Sequence, residues 1–254
     1  MRAYISFVKK EFMEYTRNYK LFILLVVFVI LGILSPLTAK FMPEMIKSFM
    51  PAGMTIELPP SSSLDSWGQF FKNITQMGFI VLMIVFSGIM SKEYDKGTFV
   101  NLVTKGLGRE TIILSKFTAA SLLWTISCWV SFLITWGYTR FYWNDSSSNH
   151  LIVAVMILYF FCLILLATEL LGAVIINNSY GSLLFVVGFI IVLFILNIFP
   201  KLEKYNPLSL ANQNLELVKG SVEMEVFKYP AIIGAVILIG FVVLSIKIFN
   251  KKQI

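Results

Sequence analysis

The chain has 254 residues, 57% of them hydrophobic and only 14% charged, with a formal net charge of +7 and a mean hydropathy of +0.81. Soluble domains carry about a quarter charged residues, and a chain this short has too little interior to hide so much apolar surface from water. A soluble globular domain is therefore excluded, and the expected fold is an all-α polytopic membrane protein whose main solvent is lipid.

In chain order, residues 1–20 read as an amphipathic helix. Tyr4, Val8, Phe12, Tyr15 and Tyr19 recur at three- and four-residue spacing, while Arg2, Ser6, Lys10, Glu14 and Arg17 fall on another face. That pattern suits a helix lying in the membrane interface with its basic residues at the headgroups. It is consistent either with a simple anchor or with a polar face that also meets a cytoplasmic partner.

A helix needs about 20 mostly apolar residues to cross the hydrocarbon. Six runs meet that need: 21–39, with a Ser35-Pro36 break near its end, then 74–90, 117–138, 151–176, 180–199 and 230–249. The first run is full length and follows an amphipathic stretch, so it reads as a retained span and not a cleaved leader. Residues 40–73 hold Pro43, Pro51, Pro59, Pro60 and Ser61-Ser62-Ser63 and read as an irregular outer loop, with room for a short interfacial helix from Met42 to Met50. Residues 200–229 carry Leu208, Leu210, Leu215, Leu217 and Val218 among polar positions. They are too apolar for a free loop and are expected to form short helices against the outer leaflet.

Six spans put both termini on one side, and the positive-inside rule chooses it. Segments 1–20, 91–116, 177–179 and the tail from 247 hold thirteen Lys and Arg against five acids, whereas 40–73, 139–150 and 200–229 hold eight against eight. The N-terminus, the 91–116 loop and the C-terminus are thus expected in the cytoplasm of a multi-pass plasma-membrane protein. No dense Lys/Arg block marks a nucleic-acid partner; an anionic lipid surface is the counterpart for the net charge.

The loop from Ser91 to Lys116 is the most informative stretch. Glu93 is followed four residues later by Gly97-Thr98, then by an apolar run ended by Gly106 and Gly108, and Arg109 and Lys116 lead back to the membrane. Thr98 suits the N-cap of a helix from Phe99 to Thr104, which would lie across the cytoplasmic mouth where a partner can push it. A basic solvated loop is the plainer reading of the same residues.

With Glu93, Gly97, Thr98, Arg109 and Lys116 in this order, the chain resembles the permease subunits of type-2 ABC exporters, in which a Glu-x-x-x-Gly-Thr segment after the second span opens the coupling helix. The six-span layout, the N-terminal amphipathic helix and Tyr205-Asn206-Pro207-Leu208 before the last span agree with that resemblance, while Lys105-Gly106-Leu107 departs from the usual turn. The resemblance implies that these five residues couple the chain to a separate ABC ATPase, where ATP and Mg are bound. It also implies pairing with a second permease, as a homodimer or heterodimer. The chain itself has no G-x-x-x-x-G-K-[ST] phosphate loop, so no cofactor is expected on it and it is not expected to be an enzyme.

Glu169 is the one acid well inside an apolar run, and ionisable groups there are functional by default. Eighteen residues after Leu151, it should lie about 27 Å down the helix, near the cytoplasmic interface. Cys128 and Cys162 read as small core residues, and the single histidine, His150, as a surface group. Asn73-Ile74-Thr75 and Asn144-Asp145-Ser146 match a glycosylation pattern that is frequent by chance. No convergent nucleophile, base or metal-ligand set is legible. The preferred reading is an exporter permease for amphipathic or hydrophobic cargo, such as antimicrobial or cytolytic peptides, drugs or lipid-like molecules. The alternative is a non-transporting immunity or sensor protein that binds a toxin through its outer loops. An ion-coupled carrier would want charges at the midplane, which Glu169 alone does not supply.

Overall fold

The structure is a computed structural model and describes residues 2–48, 60–95, 97, 99, 104, 106–143 and 148–252. Among these, every regular element is helical. Helix α1 (Arg2–Arg17) precedes α2 (Lys20–Ser48). The second span is built from α3 (Ser63–Asn73), a π-helical turn at Ile74–Gly78 and α4 (Phe79–Phe86), and the short α5 (Ser91–Asp95) follows. Then come α6 (Arg109–Tyr142), α7 (Leu151–Ile176), α8 (Ser179–Asn197), the short α9 (Pro200–Glu203), α10 (Ser209–Asn212) and α11 (Asn214–Lys219), a 3-10 turn at Met224–Phe227 and α12 (Lys228–Lys251). Six helical segments are long and apolar enough to cross a membrane.

Three expectations about helix extents are corrected. The Ser35-Pro36 pair does not end α2, which continues through Pro36 and Pro43 to Ser48. Proline at 36 removes the N–H that would bond the Gly32 carbonyl, and Thr135 Oγ1 of α6 donates to that oxygen instead, at 3.0 Å. The missing Cβ of Gly32 lets the helices come this close, since a Cβ there would sit 2.9 Å from the Ser131 carbonyl.

Residues 63–73, read as loop, form α3. Asp65 Oδ2 accepts from the Ser62 amide and hydroxyl, each at 2.9 Å, and Trp67, Phe70 and Phe71 turn inward at helical spacing. The helix that carries the third apolar run starts at Arg109, eight residues before 117: at about 1.5 Å per residue the 34-residue α6 is roughly 50 Å long, so it outruns the hydrocarbon.

The core centres on α7. Every residue from Ile164 to Val174 is buried, as befits a helix covered on all sides. Cys128 and Cys162 are buried and free. The segment expected to form short apolar helices does so, with Leu208, Leu210, Leu217 and Val218 buried. His150 is exposed at the start of α7, in a left-handed conformation.

Candidate functional site

Helix α1 buries Phe7, Glu11 and Tyr15, one turn apart on a single stripe. The inward face is thus offset from the Tyr4-Val8-Phe12 stripe, and Tyr19, expected on it, is exposed. An acid at the centre of a buried face needs a partner. Glu11 Oε2 accepts from Lys116 Nζ at 3.1 Å, and the same ammonium donates to Glu93 Oε1 at 2.5 Å. Lys116 is 1% exposed and Glu93 6%. Lys10, at the rim, donates to Glu11 Oε1 at 2.9 Å, pairs with Glu14 Oε2 at 2.8 Å and reaches Glu93 Oε1 at 3.8 Å. The cluster joins three elements: α1, α5 and the second turn of α6.

Burial pushes the Glu93 carboxyl above the ordinary glutamate value; Lys116 opposes the rise and the Glu11 carboxylate adds to it. For Lys10 burial works against the charge, but Glu11 and Glu14 outweigh it and hold the ammonium above the ordinary lysine value. Burial, with the same acids nearby, raises the Tyr15 hydroxyl well above its usual range. Tyr15 meets Phe86 edge-on at 5.6 Å, with Lys20 over both rings. Glu11, Glu14 and Glu93 bring carboxylate oxygens within 4.8 Å of one another, but the Lys10 and Lys116 ammonium groups already supply countercharge at those oxygens, so the cluster is an ion-pair network.

The other end of the loop is held separately. Arg109 Nη1 donates to the carbonyls of Phe249, Asn250 and Lys252 at 2.8, 2.9 and 2.7 Å, capping the C-terminus of α12, where a cation is favoured. Buried Phe99 lies between the Tyr94 and Phe249 rings, at 4.8 and 5.2 Å. Lys252 lies over Tyr94, donates to the Val174 carbonyl at 2.5 Å and also bonds Asn177 Oδ1. Burial raises the Tyr94 hydroxyl to about 12.

Of the five loop residues singled out by motif, Glu93 and Lys116 therefore meet directly and face inward, while Arg109 works at the second anchor. Gly97 has φ +60° with open space around it, a conformation that glycine adopts without strain. Thr98 lies outside the described residues, as do 100–103 and 105; Phe99 and Thr104, the expected ends of the short helix, are helical.

Glu169 is fully buried. Ser182 Oγ of α8 lies 2.9 Å from its Oε1, while Oε2 accepts no hydrogen bond among the described residues. A cleft of about 540 Å³ runs between the second span and α8, walled by Phe79, Ile80, Met83, Ile84, Val186, Val187, Ile190 and Phe194, with Thr75, Gln76 and Asn212 among its few polar groups. Sequence reading did not single out Glu11, Phe99 or Ser182. For Glu11 a signal existed: an acid spaced four residues from both Phe7 and Tyr15.

A family model described as ABC-2 family transporter protein matches residues 5–254. The chain is also similar to an uncharacterized transmembrane protein of Bacillus subtilis (strain 168), YxlG, with 19% identity over 100% of this chain and 99% of that protein.

Proposed function

The chain belongs to the ABC-2 transporter family, and on that premise we propose that it is the permease of an ATP-driven exporter, with its 91–109 loop receiving a separate ABC ATPase on the cytoplasmic side. Membership makes the chain the membrane component of an ABC transporter; ATP hydrolysis belongs to the partner. The observation that carries the proposed coupling is the burial of Glu93 against Lys116 and Glu11. A push on a loop with a loose base is dissipated in the loop. Here the base is tied to α1 and the third span, and the far end to the last helix through Arg109.

The cleft between the second span and α8 is the proposed cargo surface. Its apolar walls and few polar groups favour an amphipathic or hydrophobic molecule, such as a peptide, drug or lipid-like compound, over a small ion. Its opening on one protomer fits completion by a second permease.

The test is purification of the tagged chain from its native membrane. Retention of an ABC ATPase, and hydrolysis that responds to an amphipathic cationic peptide in proteoliposomes, support the reading. A chain that binds such a peptide with no ATPase retained is the immunity or sensor protein instead.

A further inference from the structure

At the loop end of the cleft the two helices that wall it are tied to each other by serines. Ser182 Oγ of α8 lies 2.9 Å from the carbonyl of Ser87, just past α4, and Ser91 Oγ lies 2.6 Å from Ser179 Oγ. Ser87 and Ser91 follow the cleft residue Ile84 by three and seven positions, and Ser182 and Ser179 precede Leu183 by one and four. Ser91 is 3% exposed and Ser182 is fully buried.

Ser182 has one hydroxyl proton but three acceptors at the same 2.9 Å: the Ser87 carbonyl across the gap, the Ser179 carbonyl on its own helix, and Glu169 Oε1 on α7. Only the first bond crosses between the walls. If α4 and α8 part, the Ser182 hydroxyl keeps its proton and donates to Glu169 or Ser179, both already in place, so no donor is stranded in a dry interior, which is the step that normally makes such a contact costly to open. The Ser91–Ser179 pair lies further toward the loop, where Ser179 is half-buried and water can take the place of a lost partner.

We infer that Ser87, Ser91, Ser179 and Ser182 form the loop-side gate of the cleft, and that Glu169 is the standby acceptor that lets it open. The gate rests on the permease reading, because it has a task only if the cleft carries cargo. It also gives an intramembrane acid a role that needs neither a metal nor a counter-ion.

The test uses the complex of permease and ATPase in liposomes, in a background with Cys128 and Cys162 replaced by alanine, and a water-soluble maleimide applied from the loop side to a single cysteine at Met83→Cys in the cleft. Labelling is slow at rest and accelerates with ATP. Ser182→Ala removes the crossing bond and raises resting labelling a few-fold, less than the roughly tenfold of a buried hydrogen bond with no substitute acceptor. Glu169→Leu leaves the Ser179 carbonyl as the remaining acceptor and weakens the ATP-dependent acceleration, and Glu169→Gln, which keeps an acceptor oxygen, restores it. Separately, Ser91→Cys/Ser179→Cys is oxidised to a disulfide; Met83→Cys then stays protected with ATP present, and reduction releases it. Failure of that pair to cross-link, or equal labelling of the oxidised and reduced forms, overturns the gate while leaving the permease reading intact. An unsubstituted chain that retains no ATPase removes the permease reading, and the gate with it.

Discussion

Lys116 and Glu93 lie 23 positions apart in the chain, yet their ammonium and carboxylate meet at 2.5 Å in a site almost closed to solvent. Between them in the sequence lies the stretch marked as the place for a partner. The contact closes that loop at its base, and Glu11 ties the closure to the amphipathic helix. A buried pair of this kind is weak evidence for stability but good evidence for a fixed geometry, because each charge left alone is expensive.

Removal of the shared cation tests that geometry. Lys116→Met takes the buried ammonium from between Glu11 and Glu93, with Lys10 still near both, and is expected to cost up to about 3–5 kcal/mol. Thermal unfolding in detergent should show a lowered midpoint, and adding Glu11→Gln and Glu93→Gln should recover much of it. A wild-type midpoint for Lys116→Met would mean that the cluster is not formed.

The same cluster predicts a pH effect with a definite sign. The folded protein holds the Glu93 proton more tightly than the unfolded chain does, since burial raises that carboxyl above 4.5. The stabilisation from this proton is therefore complete in acid and is lost as pH rises from 4.5 through the raised value. Subtracting the unfolding midpoints of Glu93→Gln from those of the unsubstituted protein across this range isolates the effect. The difference should fall with pH; parallel curves would contradict it.

At the crossing of α2 and α6, Thr135 supplies the hydrogen bond that Pro36 denies to Gly32. Thr135→Val keeps the shape and strands that carbonyl, with an expected loss of about 1–3 kcal/mol. Thr135→Ser, which keeps the hydroxyl, should lose less. Equal midpoints for the two variants would show that the proline is accommodated in another way.

Orientation follows from the charge asymmetry. In intact cells an impermeant thiol reagent should label Ser62→Cys and leave Lys105→Cys untouched, with the pattern reversed in inside-out vesicles. Labelling of Lys105→Cys in intact cells would invert the topology and put the loop out of reach of a cytoplasmic ATPase.

The six-helix layout is legible because apolar runs of about 20 residues have few other uses. Helix ends are less so: prolines and serines around 59–63 masked the start of α3, although the Ser62 and Asp65 spacing and the Trp67, Phe70, Phe71 stripe mark it. Glu93 and Lys116 were legible as a motif, but not their contact with Glu11, because a helical wheel assigns faces from apolar residues and puts an acid outside by default. The serine bonds of Ser182 and Ser91 leave no trace in spacing; they arise where helices distant in sequence are brought side by side.

The most direct measurement is ATPase retention on the affinity-purified permease, compared between Glu93→Ala and Glu110→Ala. Glu110 carries the same charge near the same loop but is exposed, so it controls for charge alone. Loss of the buried contact should lower the ATPase retained per permease by about tenfold or more, while Glu110→Ala retains the unsubstituted amount. Equal retention by the two variants, with equal ATP hydrolysis per ATPase retained, would contradict the claim that Glu93 fixes the coupling loop.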